Sequence, residues 1–285
     1  MKTSCIVCKN NKFKYLFKLK NYNLMECSNC SLQKLEPQPS LTELDKIYSN
    51  YYDKWNYNNS NNQISNMKKL TFSEYLKQIT KFISSGKLLD VGCATGDLLS
   101  AAQSMGFDVY GAEVSKQGLD ICRKKFGKNK IFESHLITNN IKKNSFDIII
   151  LSDVIEHIVE IDKFIESIWN ALKDNGFLML TTPDTNSISK KLMQSKWFHY
   201  KIEHLYYFNN SNIKTFLNPK FEILINKKVY KTLNLGYILS LLDYYSNNKL
   251  KFINQLTKFI PNKLLYFNFK IHLGEMFILC RKRTL

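Results

Sequence analysis

The chain has 285 residues, of which 44% are hydrophobic and 23% charged. This balance excludes a chain that is disordered throughout, and the length suits one large domain with a small accessory module. There are 41 Lys and Arg residues against 24 Asp and Glu, a formal net charge of +17. No stretch approaches the roughly 18 uninterrupted apolar residues of a membrane-spanning helix. The lysine-rich start lacks the pattern of a secretory signal, so we expect a cytoplasmic protein.

Four of the seven cysteines are strictly spaced near the start of the chain. Cys5 and Cys8 are separated by two residues, and Cys27 and Cys30 repeat this spacing eighteen residues later. Each pair can place two thiolates on one turn, and two such turns can close a tetrahedron around Zn²⁺. Because four thiolates leave no open position on the metal, we predict structural rather than catalytic zinc, with an iron centre or a degenerate, empty site as the alternatives.

Residues 1–38 are predicted to form a zinc ribbon around this site. Apolar side chains alternate between residues 13 and 24, which indicates a hairpin. So few residues cannot bury a sufficient core, and metal binding would supply the missing free energy. The other cysteines, Cys93, Cys122 and Cys280, lie in predicted core positions and are expected to be inert.

Residues 39–85 are predicted to be a helical linker and lid. Ser40 and Glu43 form a capping-box pattern that opens a helix over residues 41–52. Residues 56–66 are rich in Asn and Ser and are predicted to be a loop. Apolar residues at helical spacing then predict a second helix over residues 72–83, which ends before Gly86.

From residue 86 to residue 285 the pattern alternates strands and helices. The predicted strands are 87–91, 107–111, 130–132, 146–152 and 177–181, the helices 97–105, 115–126 and 161–172, and residues 174–176 are a turn. The strand at 146–152 is almost entirely apolar, as a parallel strand covered on both faces requires. This alternation predicts a doubly wound α/β sheet whose ligands bind beyond the carboxyl ends of the strands.

A loop of small residues follows the first of these strands. Gly92 and Gly96 permit a tight turn and let a ligand lie against bare backbone, and Ala94 lies between them. Glu113 ends the second strand, seventeen residues after Gly96. A carboxylate there can accept hydrogen bonds from both hydroxyls of a ribose. The loop spacing differs from Gly-x-Gly-x-x-Gly, and this difference argues against a dinucleotide.

Four segments carry a family resemblance: LLDVGCATGDLL, GFDVYGAEVS, SFDIIILSDVIEHI and NGFLMLTTP. Together they resemble the class I S-adenosylmethionine-dependent methyltransferases, in particular the ubiquinone-biosynthesis O-methyltransferases and the bacterial surface-glycan methyltransferases. The resemblance covers about residues 88–281 and implies a Rossmann-like, seven-stranded sheet. Several members of that branch carry a four-cysteine ribbon in front, as do the sugar C-methyltransferases. The centre of the family's glycine loop is usually Gly, and here it is the small residue Ala94.

The resemblance also implies which residues bind S-adenosylmethionine. The methionine and ribose side would be lined by Asp90, Gly92, Ala94 and Gly96, with the ribose hydroxyls on Glu113. The adenine would be bordered by Val114 and flanked by His135 and Leu136. The methionine portion would face Ser152 and Asp153.

Two histidines are candidates for the base that takes a proton from an attacking hydroxyl. His157 directly follows the fourth strand, and His204 lies in an aromatic segment beyond the fifth. The Glu-His pair at 203–204 resembles the acceptor-side segment of the glycan methyltransferases. Asp153, or no base at all, is the alternative. Glu156 and His157 could also bind a divalent ion.

The positive charge is concentrated at the end of the chain, where residues 226–285 hold eleven Lys and Arg and two acids. Apolar residues at helical spacing among the lysines predict an amphipathic helical insert over about 235–270. Such an insert could cover the fold, form a dimer face or contact the inner face of a membrane. No RNA-binding or helix-turn-helix signature is present, so nucleic acid is not the expected partner.

These patterns predict a methyltransferase that transfers a methyl group from S-adenosylmethionine to a hydroxyl. A sugar in surface-polysaccharide assembly, lipid- or nucleotide-linked, is the first choice of acceptor. C-methylation of a nucleotide sugar and O-methylation of a quinone-like ring are the enzymatic alternatives. The non-enzymatic alternative is a binding or scaffold protein that docks through its zinc ribbon. Oligomeric state stays open.

Overall fold

The computed structural model describes residues 4–49, 61–133, 141–245 and 260–284. The strands are β1 Phe13–Leu19, β2 Tyr22–Cys27, β3 Gln33–Glu36, β4 Lys87–Val91, β5 Asp108–Glu113, β6 Ile131–Glu133, β7 Phe146–Ser152, β8 Leu172–Pro183, β9 Tyr206–Tyr207, β10 Phe221–Lys228, β11 Lys231–Asn234, β12 Asn268–Ile271 and β13 Glu275–Lys282. The helices are α1 Leu41–Ser49, α2 Asn61–Ile79, α3 Asp97–Ser104, α4 Lys116–Phe126, α5 Ile161–Ala171, α6 Ile188–Met193, α7 Asn210–Leu217, α8 Leu235–Tyr245 and α9 Asn262–Leu265.

Seven strands form the main sheet in the order β10-β13-β8-β7-β4-β5-β6. The five from β8 to β6 run parallel, and β13 and β10 complete the sheet in antiparallel pairings. Parallel neighbours require crossover connections, which the intervening helices provide. This arrangement confirms the predicted doubly wound, Rossmann-like α/β fold with seven strands.

The central strand β7 shows how the core is divided between the two faces of the sheet. Ile149 and Leu151 belong to one buried cluster, which includes Phe164 of α5. Ile148 and Ile150, which alternate with them, belong to a second cluster on the other face. A strand buried on both faces needs apolar residues at every position, which accounts for its nearly continuous apolar run.

The N-terminal strands form a second sheet that reaches into the rest of the molecule. β1, β2 and β3 are antiparallel, and β3 pairs with β9 through Gln33–Tyr207 and Lys34–Tyr206. The Tyr200 hydroxyl also donates to Gln33 Oε1 at 2.9 Å. The ribbon sheet is therefore completed by a strand from beyond the fifth parallel strand. The division of the chain at residues 38 and 85 stays a prediction.

Several local predictions differ from the structure. The loop predicted over 56–66 is wrong for residues 61–66, which begin α2, and residues 50–60 lie outside the described residues. Helix α2 ends at Ile79, four residues before the predicted end. The turn predicted at 174–176 lies within the span of β8 as an irregularity, where Asn175 has a φ of 60°.

The predicted insert at 235–270 is helical at α8 and α9. It then returns through β12, which pairs with β11. Residues 246–259 lie outside the described residues. None of the helices in the described ranges combines the length and apolar character needed to cross a bilayer.

Candidate functional site

The loop between β4 and α3 has an unusual backbone. Gly92, Ala94 and Gly96 all have positive φ, at 75°, 48° and 76°. A Cβ at Gly92 would lie 2.9 Å from Val154 Cγ2, and one at Gly96 would lie 2.5 Å from the Phe126 ring. Both glycines are therefore required by conformation and by space. The loop presents bare backbone at the carboxyl end of β4, as the sequence predicts.

Glu113 connects this loop to the end of β5. Its carboxylate accepts hydrogen bonds from the backbone N–H of Ala94 at 2.7 Å, Val114 at 2.9 Å and Ser115 at 2.8 Å. A carboxylate offers about four lone-pair positions, so capacity remains for a ligand hydroxyl. The arrangement fits the ribose site that the resemblance implies. Asp90 lies buried beneath the loop, and burial raises its pKa well above the usual range.

Asp153 follows the end of β7 with a φ of 57°. Its backbone N–H donates to the Thr181 hydroxyl, and that hydroxyl lies 2.9 Å from Asp153 Oδ1. Lys231 Nζ lies 3.0 Å from the other oxygen, Oδ2. Burial alone would raise the pKa of Asp153, but the Lys231 ammonium and the Thr181 hydroxyl together outweigh it and lower the pKa. Ser152 lies beside it, with its Oγ 3.3 Å from Thr181 Oγ1.

The two candidate histidines are in contact. The rings of His157 and His204 meet edge to face with centroids 4.6 Å apart. Glu156 joins them, and the ligand atoms of the three side chains lie within 4.8 Å of one another. His157 sits on a short 3₁₀ turn, Ile155–His157, after β7, and His204 sits just before β9. The fold thus brings together residues 47 positions apart in the chain.

Glu156, His157 and His204 form what we call the Glu-His cluster, and burial sets the protonation of all three side chains. It lowers the pKa of His157 to about 4 and that of His204 well below its usual range. It raises the pKa of Glu156 well above the usual range. Glu156 Oε1 and His204 Nδ1 have no hydrogen-bond partner among the described residues. Burial therefore favours the neutral form of all three groups, and two of their polar atoms are unpaired within the described part of the chain.

A second group of buried polar side chains was not predicted from the sequence. Lys231 Nζ lies 2.6 Å from Glu275 Oε1, and His199 Nε2 lies 3.8 Å from that same oxygen. Tyr75 interacts electrostatically with Lys231, Asp153 and Glu275. These residues come from α2, the loop before β9, β11 and β13, so no local motif contains them. The one feature of the sequence that could have pointed to this group was Glu275, an isolated acid in the basic final segment.

The four ribbon cysteines lie together. Cys5 Sγ lies 3.5 Å from Cys30 Sγ, Cys8 Sγ lies 3.5 Å from Cys27 Sγ, and all four sulfurs lie within 4.8 Å of one another. All four are free thiols. Four thiolates about 2.3 Å from one ion stand roughly 3.8 Å apart in a tetrahedron, so the donor set fits Zn²⁺. Cys93, Cys122 and Cys280 are buried, as predicted.

Two of the residues implied by the resemblance are not placed. His135 and Leu136 lie outside the described residues. The other predicted cofactor residues gather at the carboxyl ends of the neighbouring strands β7, β4 and β5. The structure therefore brings the predicted cofactor side and the histidines to the same region of the molecule.

Comparisons with known proteins agree with this geometry. The family described as "Methyltransferase domain" matches residues 64–218, more than half of the chain. The ubiquinone biosynthesis O-methyltransferase of Pelagibacter ubique is 30% identical over 110 residues, which are 38% of this chain and 46% of that protein. The Rickettsia typhi protein of the same name is 26% identical over 145 residues, 50% of this chain and 59% of that protein. The chain spans about half the length of these relatives.

Solved structures share the fold. A SAM-dependent methyltransferase from Archaeoglobus fulgidus superposes with a TM-score of 0.55 at 16% identity, covering 81% of this chain and 100% of that one. The 1,6-didemethyltoxoflavin-N1-methyltransferase of Burkholderia thailandensis, solved with S-adenosylhomocysteine, gives a TM-score of 0.56 at 10% identity, covering 95% and 100%. These identities show the fold alone. With the match over residues 64–218, they lead to one conclusion: the chain belongs to the methyltransferase-domain family.

Proposed function

We propose that the protein is an S-adenosylmethionine-dependent O-methyltransferase. The observation that carries this proposal is the bare loop after β4 with the Glu113 carboxylate beside it, within a methyltransferase domain. S-adenosylmethionine, when bound, supplies a methyl group on a positively charged sulfur. The chain must bind it, align the acceptor and exclude water. Glu113 would hold the ribose hydroxyls, and the loop backbone would face the methionine and ribose side.

The Glu-His cluster would receive the proton of the acceptor hydroxyl. His204 is the better candidate because its Nδ1 is buried and has no partner among the described residues. A neutral imidazole with an unpaired ring nitrogen can accept a proton there. His157, in contact with His204, is the second candidate.

Two acceptor classes are supported by different observations. A sugar is favoured by the resemblance of the Glu-His pair at 203–204 to the acceptor-side segment of the glycan methyltransferases, whereas the aromatic rings of Trp197 and Tyr207 beside these histidines are themselves buried. The names of the relatives favour a quinone-like ring instead, since they are ubiquinone biosynthesis O-methyltransferases. A sugar linked to a surface glycan is our first candidate and a phenolic hydroxyl our second. Membrane contact of the final segment, and the expectation that nucleic acid is not a partner, stay predictions.

We also propose that the ribbon cysteines hold a structural zinc ion. The sulfur spacing supports it, and four thiolates would leave no position for a substrate. Elemental analysis of the purified protein would test this assignment directly. One zinc per chain is expected, and a metal-free or iron-loaded folded protein would contradict it.

The test of the enzymatic function begins with the donor. Titration calorimetry should show one S-adenosylhomocysteine site per chain. Incubation with S-adenosylmethionine and an acceptor set of nucleotide sugars, glycans and catechols should then give a product heavier by one methylene group. A protein that binds neither S-adenosylmethionine nor S-adenosylhomocysteine would contradict the proposal and favour the scaffold alternative.

A further inference from the structure

Tyr75, Asp153, His199, Lys231 and Glu275 form a polar recess beside the carboxyl end of β7, which we call the Lys231 recess. Lys231 Nζ is its centre, bonded to Asp153 and Glu275. The five side chains come from five separate segments of the chain. Apart from Asp153, which the resemblance places beside the methionine portion of the cofactor, none of them has been assigned a role above.

The recess is open at its centre. Tyr75, Glu275 and His199 are buried, with 4%, 3% and 8% of their surfaces exposed. In contrast, 25% of the Lys231 side chain and 35% of the Asp153 side chain are accessible. The ion pair is therefore accessible to a ligand although the groups around it are buried, and it lies at the carboxyl end of β7, on the sheet edge where the donor is proposed to bind.

Three buried polar atoms of the recess have no hydrogen-bond partner among the described residues: Tyr75 Oη, Glu275 Oε2 and His199 Nε2. Leaving such atoms unpaired is unfavourable and uncommon in folded proteins. One orphan atom has many explanations, but three around one lysine indicate a ligand that completes their bonding. This concentration distinguishes the recess from the isolated Asn226 Nδ2 elsewhere.

The unpaired hydrogen-bond donors and acceptors of the Lys231 recess restrict the chemistry of the ligand. Lys231 and Tyr75 can each donate a further hydrogen bond, and Glu275 Oε2 can accept one. Burial lowers the pKa of His199 to about 3, and its ring bonds to the Leu273 backbone, so Nε2 of the neutral ring is left as an acceptor. A ligand that pairs with all of them must both donate and accept.

The net charge of the Lys231 recess restricts the ligand further. The Lys231 ammonium is matched by the Asp153 carboxylate, and burial raises the pKa of Glu275 to about 7. The recess therefore carries between zero and one net negative charge near neutral pH. The one ammonium among these five side chains is already paired with Asp153, so it offers an anionic group no unmatched positive charge. Hydroxyl groups are the neutral ligands that donate and accept at the same atom.

We infer that the Lys231 recess binds a neutral vicinal diol of the methyl acceptor, from a sugar ring or from a dihydroxylated aromatic ring. This inference rests on the proposed function for its setting, since it places the acceptor beside the donor site. In this arrangement Lys231 and Tyr75 donate to the diol oxygens, and Glu275 and His199 accept the diol protons. The recess thus selects acceptors with two adjacent hydroxyls.

The first test uses stability and needs no ligand. Tyr75→Phe removes a buried hydroxyl for which the described residues provide no partner, so its melting temperature should equal or exceed that of the wild type. Tyr200→Phe is the matched control, because its hydroxyl donates to Gln33 and its loss should lower the melting temperature. A fall for Tyr75→Phe as large as for Tyr200→Phe would overturn the inference, since that hydroxyl would then serve the fold.

The second test uses binding to the full chain loaded with S-adenosylhomocysteine. Saturation-transfer NMR would compare methyl hexopyranosides and catechol with partners lacking one hydroxyl, the matching deoxyglycosides and 2-methoxyphenol. One diol class should bind, and its single-hydroxyl partner should bind at least about tenfold more weakly. The diol class that binds shows whether the acceptor is a sugar or a dihydroxylated aromatic ring. The inference is wrong if neither diol class binds the loaded protein. It is also wrong if the diol that binds and its single-hydroxyl partner bind with equal affinity.

The third test joins the two. Tyr75→Phe and Glu275→Gln should each weaken the diol that binds by about tenfold or more and leave S-adenosylhomocysteine affinity unchanged. If both variants bind the diol with the affinity of the wild type, the diol does not bind in the Lys231 recess. If the wild-type protein does not bind S-adenosylhomocysteine, the proposed function is contradicted instead. The melting temperatures of Tyr75→Phe and Tyr200→Phe would then still test whether the Tyr75 hydroxyl serves the fold.

Discussion

At the scale of single residues, Glu113 has two duties. Its carboxylate fixes the backbone of Ala94, Val114 and Ser115, and in the proposed function it also receives the ribose hydroxyls. The sequence predicted this residue because an acid at the end of the second strand has a known geometric use. It could not predict the three backbone hydrogen bonds, which depend on the path of the loop.

Glu113→Ala should weaken S-adenosylhomocysteine binding by about 1–3 kcal/mol, because charge-assisted hydrogen bonds to the ribose are lost. Titration calorimetry measures the change. Glu133→Ala is the matched control, since Glu133 lies opposite Glu113 on β6 but is exposed and pairs only with Arg123 in the described structure. Equal affinities for wild type and Glu113→Ala would show that the ribose binds elsewhere.

His204→Ala should lower turnover about 10²-fold or more, because the proposed proton acceptor is removed. S-adenosylhomocysteine affinity should not change. The assay is methyl transfer to whichever acceptor the screen identifies. His272→Ala serves as the control, because that ring bonds the Val229 carbonyl away from the cluster. Full activity of His204→Ala would transfer the role to His157 or to no base.

At the scale of elements, local chemistry decided most of what could be predicted. The capping box is confirmed, with Glu43 Oε2 accepting from the Ser40 backbone at 2.9 Å. The start of α2 was wrong because residues 61–66 have a loop-like composition, whereas the helix is stabilised by burying Met67 and Leu76 against the fold. Propensity is a weak prior, and tertiary packing overrode it there.

The loop after β4 gives the prediction at this scale. Gly92→Ala adds a methyl group 2.9 Å from Val154 Cγ2 at a φ of 75°, so it should distort the loop and weaken S-adenosylhomocysteine binding at least about tenfold. Gly106→Ala is the control: its φ is 92°, but a Cβ there meets nothing within 4 Å. It should cost about 1–2 kcal/mol of stability without changing affinity. Calorimetry and thermal melts would separate the two effects.

At the scale of the whole molecule, the predictable parts were those written into contiguous patterns. The strand alternation predicted the doubly wound sheet, and the cysteine spacing predicted four sulfurs in one place. The Lys231 recess could not be predicted, because its members are separated by as many as 200 residues and meet only through the sheet topology. The pairing of β3 with β9 was missed for the same reason.

Metal loss is the prediction that belongs to this scale. If the ribbon holds the proposed zinc ion, Cys27→Ser should remove it and unfold the ribbon, because metal binding would supply much of the folding free energy. Elemental analysis and hydrogen exchange of residues 13–36 would follow both changes. Cys280→Ala, a buried thiol outside the cluster, should keep its zinc. A zinc-free Cys27→Ser protein with a fully protected ribbon would contradict a structural ion.

The pairing of β3 with β9 also bears on how the chain is made. Gln33 lies opposite Tyr207 in this pairing and accepts a hydrogen bond from Tyr200, 167 positions further along the chain, so β3 is synthesised long before its partners. Contacts this distant in sequence form slowly. Until then the outer edge of β3 is open to other chains, and crowded synthesis is where such edges mispair. Early metal capture would keep the nascent hairpin in shape while it waits.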